Sequence, residues 1–224
     1  MARGPFDPAF AELPGEIPVF PLAGVLLLPG GRLPLNIFEP RYLAMTRDAI
    51  KGDRIIGMIQ PTELERPGHA PALQQVGCAG RITAFSETED GRYLITLGGL
   101  ARFRVAEERA GVSGYRRVRA DFAPFAEDMA ENAALELDRP RLLRALKGFF
   151  HQQGIKADWE QIERTTDASL ITSLAMVCPF EPQEKQALLE AGTATERGRV
   201  LTALIEMALL GGAGSGSAGE AARH

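Results

Sequence analysis

The chain has 224 residues, 45% of them hydrophobic and 24% charged, enough to bury a self-sufficient core as one large domain or two small ones. Its 25 basic and 29 acidic residues give a formal net charge of −4, so the molecule as a whole exerts no general attraction on phosphate backbones or anionic lipid. The longest apolar runs, Val25 to Leu28 and Leu170 to Val177, are too short to cross a bilayer, and the acidic, proline-broken start MARGPFDPAFAELPGE lacks a signal peptide's apolar core; the expected location is cytoplasmic, with no membrane partner.

The first half reads as strands. IPVFPL and GVLLLPGG are β-type runs, and Pro18, Pro21 and Pro29 cannot donate to a ladder, so these strands are expected at edges or interrupted, in a small bent barrel. In LPLNIFEPRYLAM, Leu33 to Met45, the prolines first interrupt a strand and then start a helix. Glu39 falls at or beside the cap, Pro40 takes the first helical position, Phe38 and Leu43 are spaced for a hydrophobic staple, and Gly52 suits a left-handed C-terminus. Arg41 lies at the positive end of that helix, where a cation is disfavoured, and a salt bridge to Glu39 or another carboxylate is the expected compensation.

RIIGMIQ, VGCAGRITAFS, RYLITLGGL, ARFRVAEE and YRRVRADF follow as strands, with ETEDGR as a turn between the second and third. In the last, Val118, Ala120 and Phe122 alternate with Arg117, Arg119 and Asp121, giving one core face and one wet face. Beyond about Phe125 the period turns helical. One helix carries Leu142, Leu146 and Phe149 between Pro140 and Gly154, a short one starts at Asp158, and one capped by Asp167 runs to Pro179. Pro182 to Leu189 is the next. Thr193 to Glu196 forms a capping box for a last helix that Gly211 and Gly212 should end, before a Gly/Ser-rich tail.

Four stretches carry a resemblance to a known family: IPVFPLAGVLLLPGGRLPLNIFEPRYLAM; GDRIIGMI; VGCAGRI with DGRY and GGLARFRV; and PFEPQEKQALLEAGTATERGRVLTAL. Together they resemble the amino-terminal, substrate-binding domain of the ATP-dependent Lon proteases, in a free-standing form. The resemblance implies an α+β fold in which a PUA-like β pseudobarrel is followed by a C-terminal α-helical bundle. The expected divisions are an arm over residues 1–16, the barrel over 17–124, the helices over 125–212 and a flexible tail over 213–224. It also implies that the ligands are unfolded or degron-bearing polypeptides, with a protease as a further partner. Pro34, Leu35, Phe38, Arg41, Tyr42 and Met45 are the candidate polypeptide-binding residues, the apolar ones being equally suited to a core.

No enzymatic machinery is expected. The chain lacks a G-x-x-x-x-G-K-[ST] phosphate loop, and it has too few residues for a motor and a Ser/Lys protease besides, so it is not expected to be a complete Lon protease. His69 with Cys78 is a weak nucleophile pair, Cys78 and Cys178 read as core thiols, and no spacing suits a metal, so no cofactor is expected. The alternative function is RNA binding. Arg102, Arg104, Arg117 and Arg119 recur at alternating strand positions and are expected to form one cationic face, although no aromatic residues interleave with them and Glu107, Glu108 and Asp121 are mixed in.

Overall fold

The structure, a computed structural model, describes residues 6–63, 70–130 and 135–215. The first elements are β1 (Glu16–Pro21), β2 (Arg32–Ile37), α1 (Pro40–Lys51), β3 (Ile55–Ile59), β4 (Val76–Glu87), β5 (Tyr93–Val112) and β6 (Tyr115–Asp121). The helices α2 (Arg139–Gln153), α3 (Trp159–Arg164), α4 (Asp167–Val177), α5 (Pro182–Glu190) and α6 (Ala194–Ser215) complete the chain, with a 3-10 turn at Ala123–Met129 between β6 and α2. By contacts, Met1–Ala133 groups with Met176–Glu190 as one unit, and Ala134–Ala175 with Ala191–His224 as a second. Helix α5 therefore belongs with the strands, although it lies beyond Pro124 among the later helices.

In the first unit, β5, β4, β3, β1 and β6 pair in that order and β6 pairs again with β5, closing a ring. The 20-residue β5 makes closure possible, since its first half pairs with β4 and its second with β6. The sequence divides this strand in two at Leu100; the pair Gly98-Gly99 does not break it, because shifts of register between Ala79/Gly80 and Ile82/Ala84 on β4 absorb the bend. The prolines of β1 find their places in the same way. Pro18 lies opposite Arg117 of β6 before pairing with β3 begins, and Pro21 lies opposite Ile59 of β3 after pairing with β6 has ended, so each sits where the strand has one neighbour.

Ile17, Val19, Ile55, Ala101, Phe103, Val118 and Ala120 fill the ring's interior. Phe103 is fully buried, and its ring occupies space that a side chain at Gly57 or Gly77 would claim. GVLLLPGG is a strand in the sequence reading and is not one in the structure. Leu26, Leu27 and Leu28 are buried in an irregular loop, held where Gly30 N–H donates to Gly99 O and Gly99 N–H donates to Gly31 O, both at 2.9 Å. Burial of apolar residues does not require a ladder when glycines let the loop lie this close.

Helix α1 starts with Glu39 as the cap residue and Pro40 in its first turn. Its end departs from expectation: Gly52 has φ −105°, and the left-handed residue is Arg54, with φ 60°. Helix α5 is tied to the strands by buried polar groups. Gln60 Nε2 donates to Pro182 O at 2.8 Å and to Gln186 Oε1 at 3.1 Å, while Lys185 Nζ donates to Gly24 O at 2.8 Å.

The second unit contains α2, α3, most of α4, and α6. Asp138 caps α2 by accepting from Arg141 N–H, and Gly154 closes it with φ 66°. Asp167 is a helical residue and not the cap, because Thr166 Oγ1 accepts from Ser169 N–H at 3.4 Å; Asp167 pairs with Arg139 instead. The Thr193–Glu196 capping box forms as expected, with reciprocal bonds of 3.1 and 3.2 Å. Gly211 and Gly212 do not stop α6, which continues to Ser215. His69, the first five residues and residues 216–224 lie outside the described residues.

Candidate functional site

Among the described residues, strand β2 has one neighbour, β5, and so forms the open end of the strand order. Which of its backbone groups face outward follows from the hydrogen bonds next to it. Gly31 O accepts from Gly99 N–H, so Gly31 points toward β5; the register from Arg32↔Gly98 to Ile37↔Tyr93 runs on without a bulge. Backbone direction alternates along a strand. Leu33, Leu35 and Ile37 therefore bond to β5, and the N–H and C=O groups of Arg32, Pro34 and Asn36 face away from it. Pro34 occupies one of the outward positions, where its missing N–H costs the sheet no internal bond.

The side chains sort in the same alternation. Arg32, Pro34 and Asn36 are exposed, Leu33 and Leu35 are half-buried, and Ile37 is buried. Phe38 continues the exposed row and is 60% exposed, so it does not serve as the expected staple. The Arg92 guanidinium lies 5.9 Å from the centre of its ring and is itself paired with Asp90 at 2.8 Å. Leu94, opposite Asn36 on β5, is also exposed.

Of the six candidate polypeptide-binding residues, the structure puts Pro34, Leu35 and Phe38 at this edge. Tyr42 and Met45 point the other way and are core: Met45 is fully buried, and the Tyr42 ring packs on Phe20 with centroids 4.2 Å apart. Arg41 is half-buried. Its Nη2 lies 2.9 Å from Glu39 Oε2, the expected salt bridge, and its guanidinium covers the Tyr42 ring at 4.5 Å. The sequence reading missed Arg32, Asn36 and Leu94; alternation within RLPLNI was the available signal, since it marks 32, 34 and 36 as one face.

The expected cationic face does not form. Arg102 is buried, and its guanidinium grips Asp128 through Nε at 2.8 Å and Nη2 at 2.7 Å while Nη1 donates to Leu189 O at 3.1 Å. The face that carries Arg104 into solvent is covered at Arg102 by the Ala123–Met129 turn and α5. Arg104 stands opposite Asp121, Arg117 pairs with Glu16 at 3.1 Å, and Arg119 lies 3.6 Å from Glu107. The remaining arginines are thus interleaved with carboxylates.

Cys78 and Cys178 are buried and are not joined in a disulfide. Burial pushes the Cys178 thiol up to about 11, so it is protonated at neutral pH and a poor nucleophile. Among the described residues no group of three or more His, Cys, Asp or Glu side chains is placed to hold a metal, and no helix is long and apolar enough to cross a membrane.

A closed strand ring with an open edge strand, together with the later helices, is a fold shared with solved Lon amino-terminal domains. The Lon N-terminal domain protein from Xanthomonas campestris superposes with a TM-score of 0.58 at 25% identity, covering 84% of this chain and 97% of that one. Residues 16–206 match the family model described as the ATP-dependent protease La (LON) substrate-binding domain, and the chain belongs to that family. Lon protease 2 of Myxococcus xanthus is 29% identical over 184 residues, 80% of this chain, and the chain spans only 22% of that relative's length. Protein cereblon of Gallus gallus is 30% identical over 112 residues, 48% of this chain and 24% of cereblon.

Proposed function

We propose that this chain is a non-catalytic polypeptide-binding module, built on a PUA-like pseudobarrel, that recognises unfolded or degron-bearing proteins and works in association with a protease. The observation that carries the reading is the open β2 edge, where Pro34, Leu35 and Phe38 sit beside backbone groups that face away from β5, the strand's one neighbour among the described residues. Family membership supports it: the matched region is the part of the Lon proteases described as substrate-binding. An unfolded segment offers what the edge lacks, namely extended backbone and apolar side chains. The buried Arg102 withdraws one of the four arginines on which RNA recognition would rest.

The test is a titration of a reduced, alkylated and permanently unfolded protein, followed by fluorescence anisotropy. Wild type is expected to bind, and Phe38→Ala to bind about tenfold more weakly, the effect of truncating an aromatic anchor. Phe38 is exposed, so the variant should unfold at the wild-type temperature. Absence of binding by the wild type at low salt contradicts the proposal.

A further inference from the structure

We infer that ligands bind by strand addition: an extended segment extends the sheet at β2, pairing with the outward groups of Arg32, Pro34 and Asn36 and presenting a carboxylate to Arg32. This rests on the polypeptide-binding reading and specifies its ligand. The backbone argument comes first. Arg32 and Asn36 each present an N–H and a C=O with no neighbouring strand among the described residues, and Pro34 presents a C=O alone. Such a row is a template for another chain, and a proline within it weakens that template without removing it.

Charge then selects the occupant. Arg32 is exposed and has no ion-pair partner among the described residues, whereas Arg41, Arg92, Arg117 and Arg119 each have a carboxylate within 4 Å. Its register neighbour on β5 is Gly98, which offers no side chain to neutralise it. In an added strand the side chains on the exposed face alternate in step with those of β2. The segment that fits has an acidic residue facing Arg32 and apolar residues at the alternate positions facing Pro34 and Phe38. A second copy of this chain would bring its own Arg32 to the same edge or pair it with neutral Asn36, so an acidic client is the better complement.

Pro34 gives the proposal its sharpest consequence. Restoring an N–H there adds one ladder bond, and removing one at Asn36 subtracts one, while the bonds to β5 are untouched in both cases. The probe is a short acetylated peptide of alternating leucine and threonine with an aspartate at one end, read by anisotropy. Pro34→Ala should bind it about fivefold more tightly, the value of one net hydrogen bond, and Asn36→Pro about tenfold more weakly, because a client carbonyl is also left unpaired. N-methylation of the peptide amides that face β2 should abolish binding, and exchange of its aspartate for lysine should weaken it. Circular dichroism melting controls for folding of both variants.

Binding of the unfolded protein and peptide with no response to N-methylation or to Asn36→Pro overturns strand addition and leaves polypeptide binding standing. Binding of neither overturns both. A dimer of the wild type that Asn36→Pro dissociates overturns the assignment to a client by giving the edge to a second copy.

Discussion

Arg102→Ala is expected to lower the unfolding free energy by about 3–5 kcal/mol, the cost of breaking a buried ion pair by removing one partner. Arg102 is 3% exposed, and Asp128 accepts from its guanidinium at two atoms and from its backbone N–H at 2.9 Å. Truncation leaves the carboxylate, whose side chain is 8% exposed, with the backbone bond alone, and it also orphans the Leu189 carbonyl. The loss of packing over the Phe125 ring, 4.6 Å from the guanidinium, adds to this. Urea denaturation should show a lower midpoint at an unchanged slope. Arg117→Ala is the control: its pair with Glu16 is about a third exposed on each side, and exposed pairs contribute about 0–1 kcal/mol. A loss below about 1 kcal/mol at Arg102 would mean that the residue is not buried as described.

Gly99→Ala is expected to cost about 3 kcal/mol or more, through overpacking together with the loss of loop hydrogen bonds. A Cβ at this position would lie 2.0 Å from Leu28 O and 2.8 Å from Leu28 C. Those are backbone atoms, so no rotamer change relieves the clash. The loop from Leu26 to Gly31 would have to lift from β5, breaking the two Gly99 hydrogen bonds and exposing leucines that are now buried. Gly98→Ala, one residue away, would meet the Thr83 methyl at 3.1 Å and Arg81 O at an ordinary contact distance of 3.9 Å, and should fall within about 1 kcal/mol of wild type. Equal effects at the two glycines, in the same denaturation experiment, would contradict this account of the loop.

The junction at Glu39-Pro40 was legible in the sequence because capping is local: the cap, the first-turn proline and the Arg41 salt bridge all involve residues within two positions of each other. The alternation in YRRVRADF was legible for the same reason. What failed depended on distant partners. GVLLLPGG has strand composition, yet its loop conformation is set by Gly99, and no local pattern announces that approach. Arg102 and Arg104 share a strand face, and only the arrival of Asp128 and Leu189 separates a buried ion pair from a solvated arginine. At the candidate site, apolarity alone could not divide Tyr42 and Met45, which are core, from Pro34 and Phe38, which are exposed. That division comes from the alternation of β2 for Pro34, which Phe38 continues, and from the packing of the buried face of α1, where Tyr42 meets Phe20.

The central claim is that the open edge of β2 receives extended polypeptide, and amide hydrogen exchange read residue by residue tests it most directly. In the free chain, Leu33, Leu35 and Ile37, which bond to β5, should exchange slowly, whereas the outward amides of Arg32 and Asn36 exchange fast. On saturation with the unfolded protein, Arg32 and Asn36 should become protected while α1 and β6 stay unchanged. Protection elsewhere, with Arg32 and Asn36 still exchanging fast in the saturated complex, would contradict it.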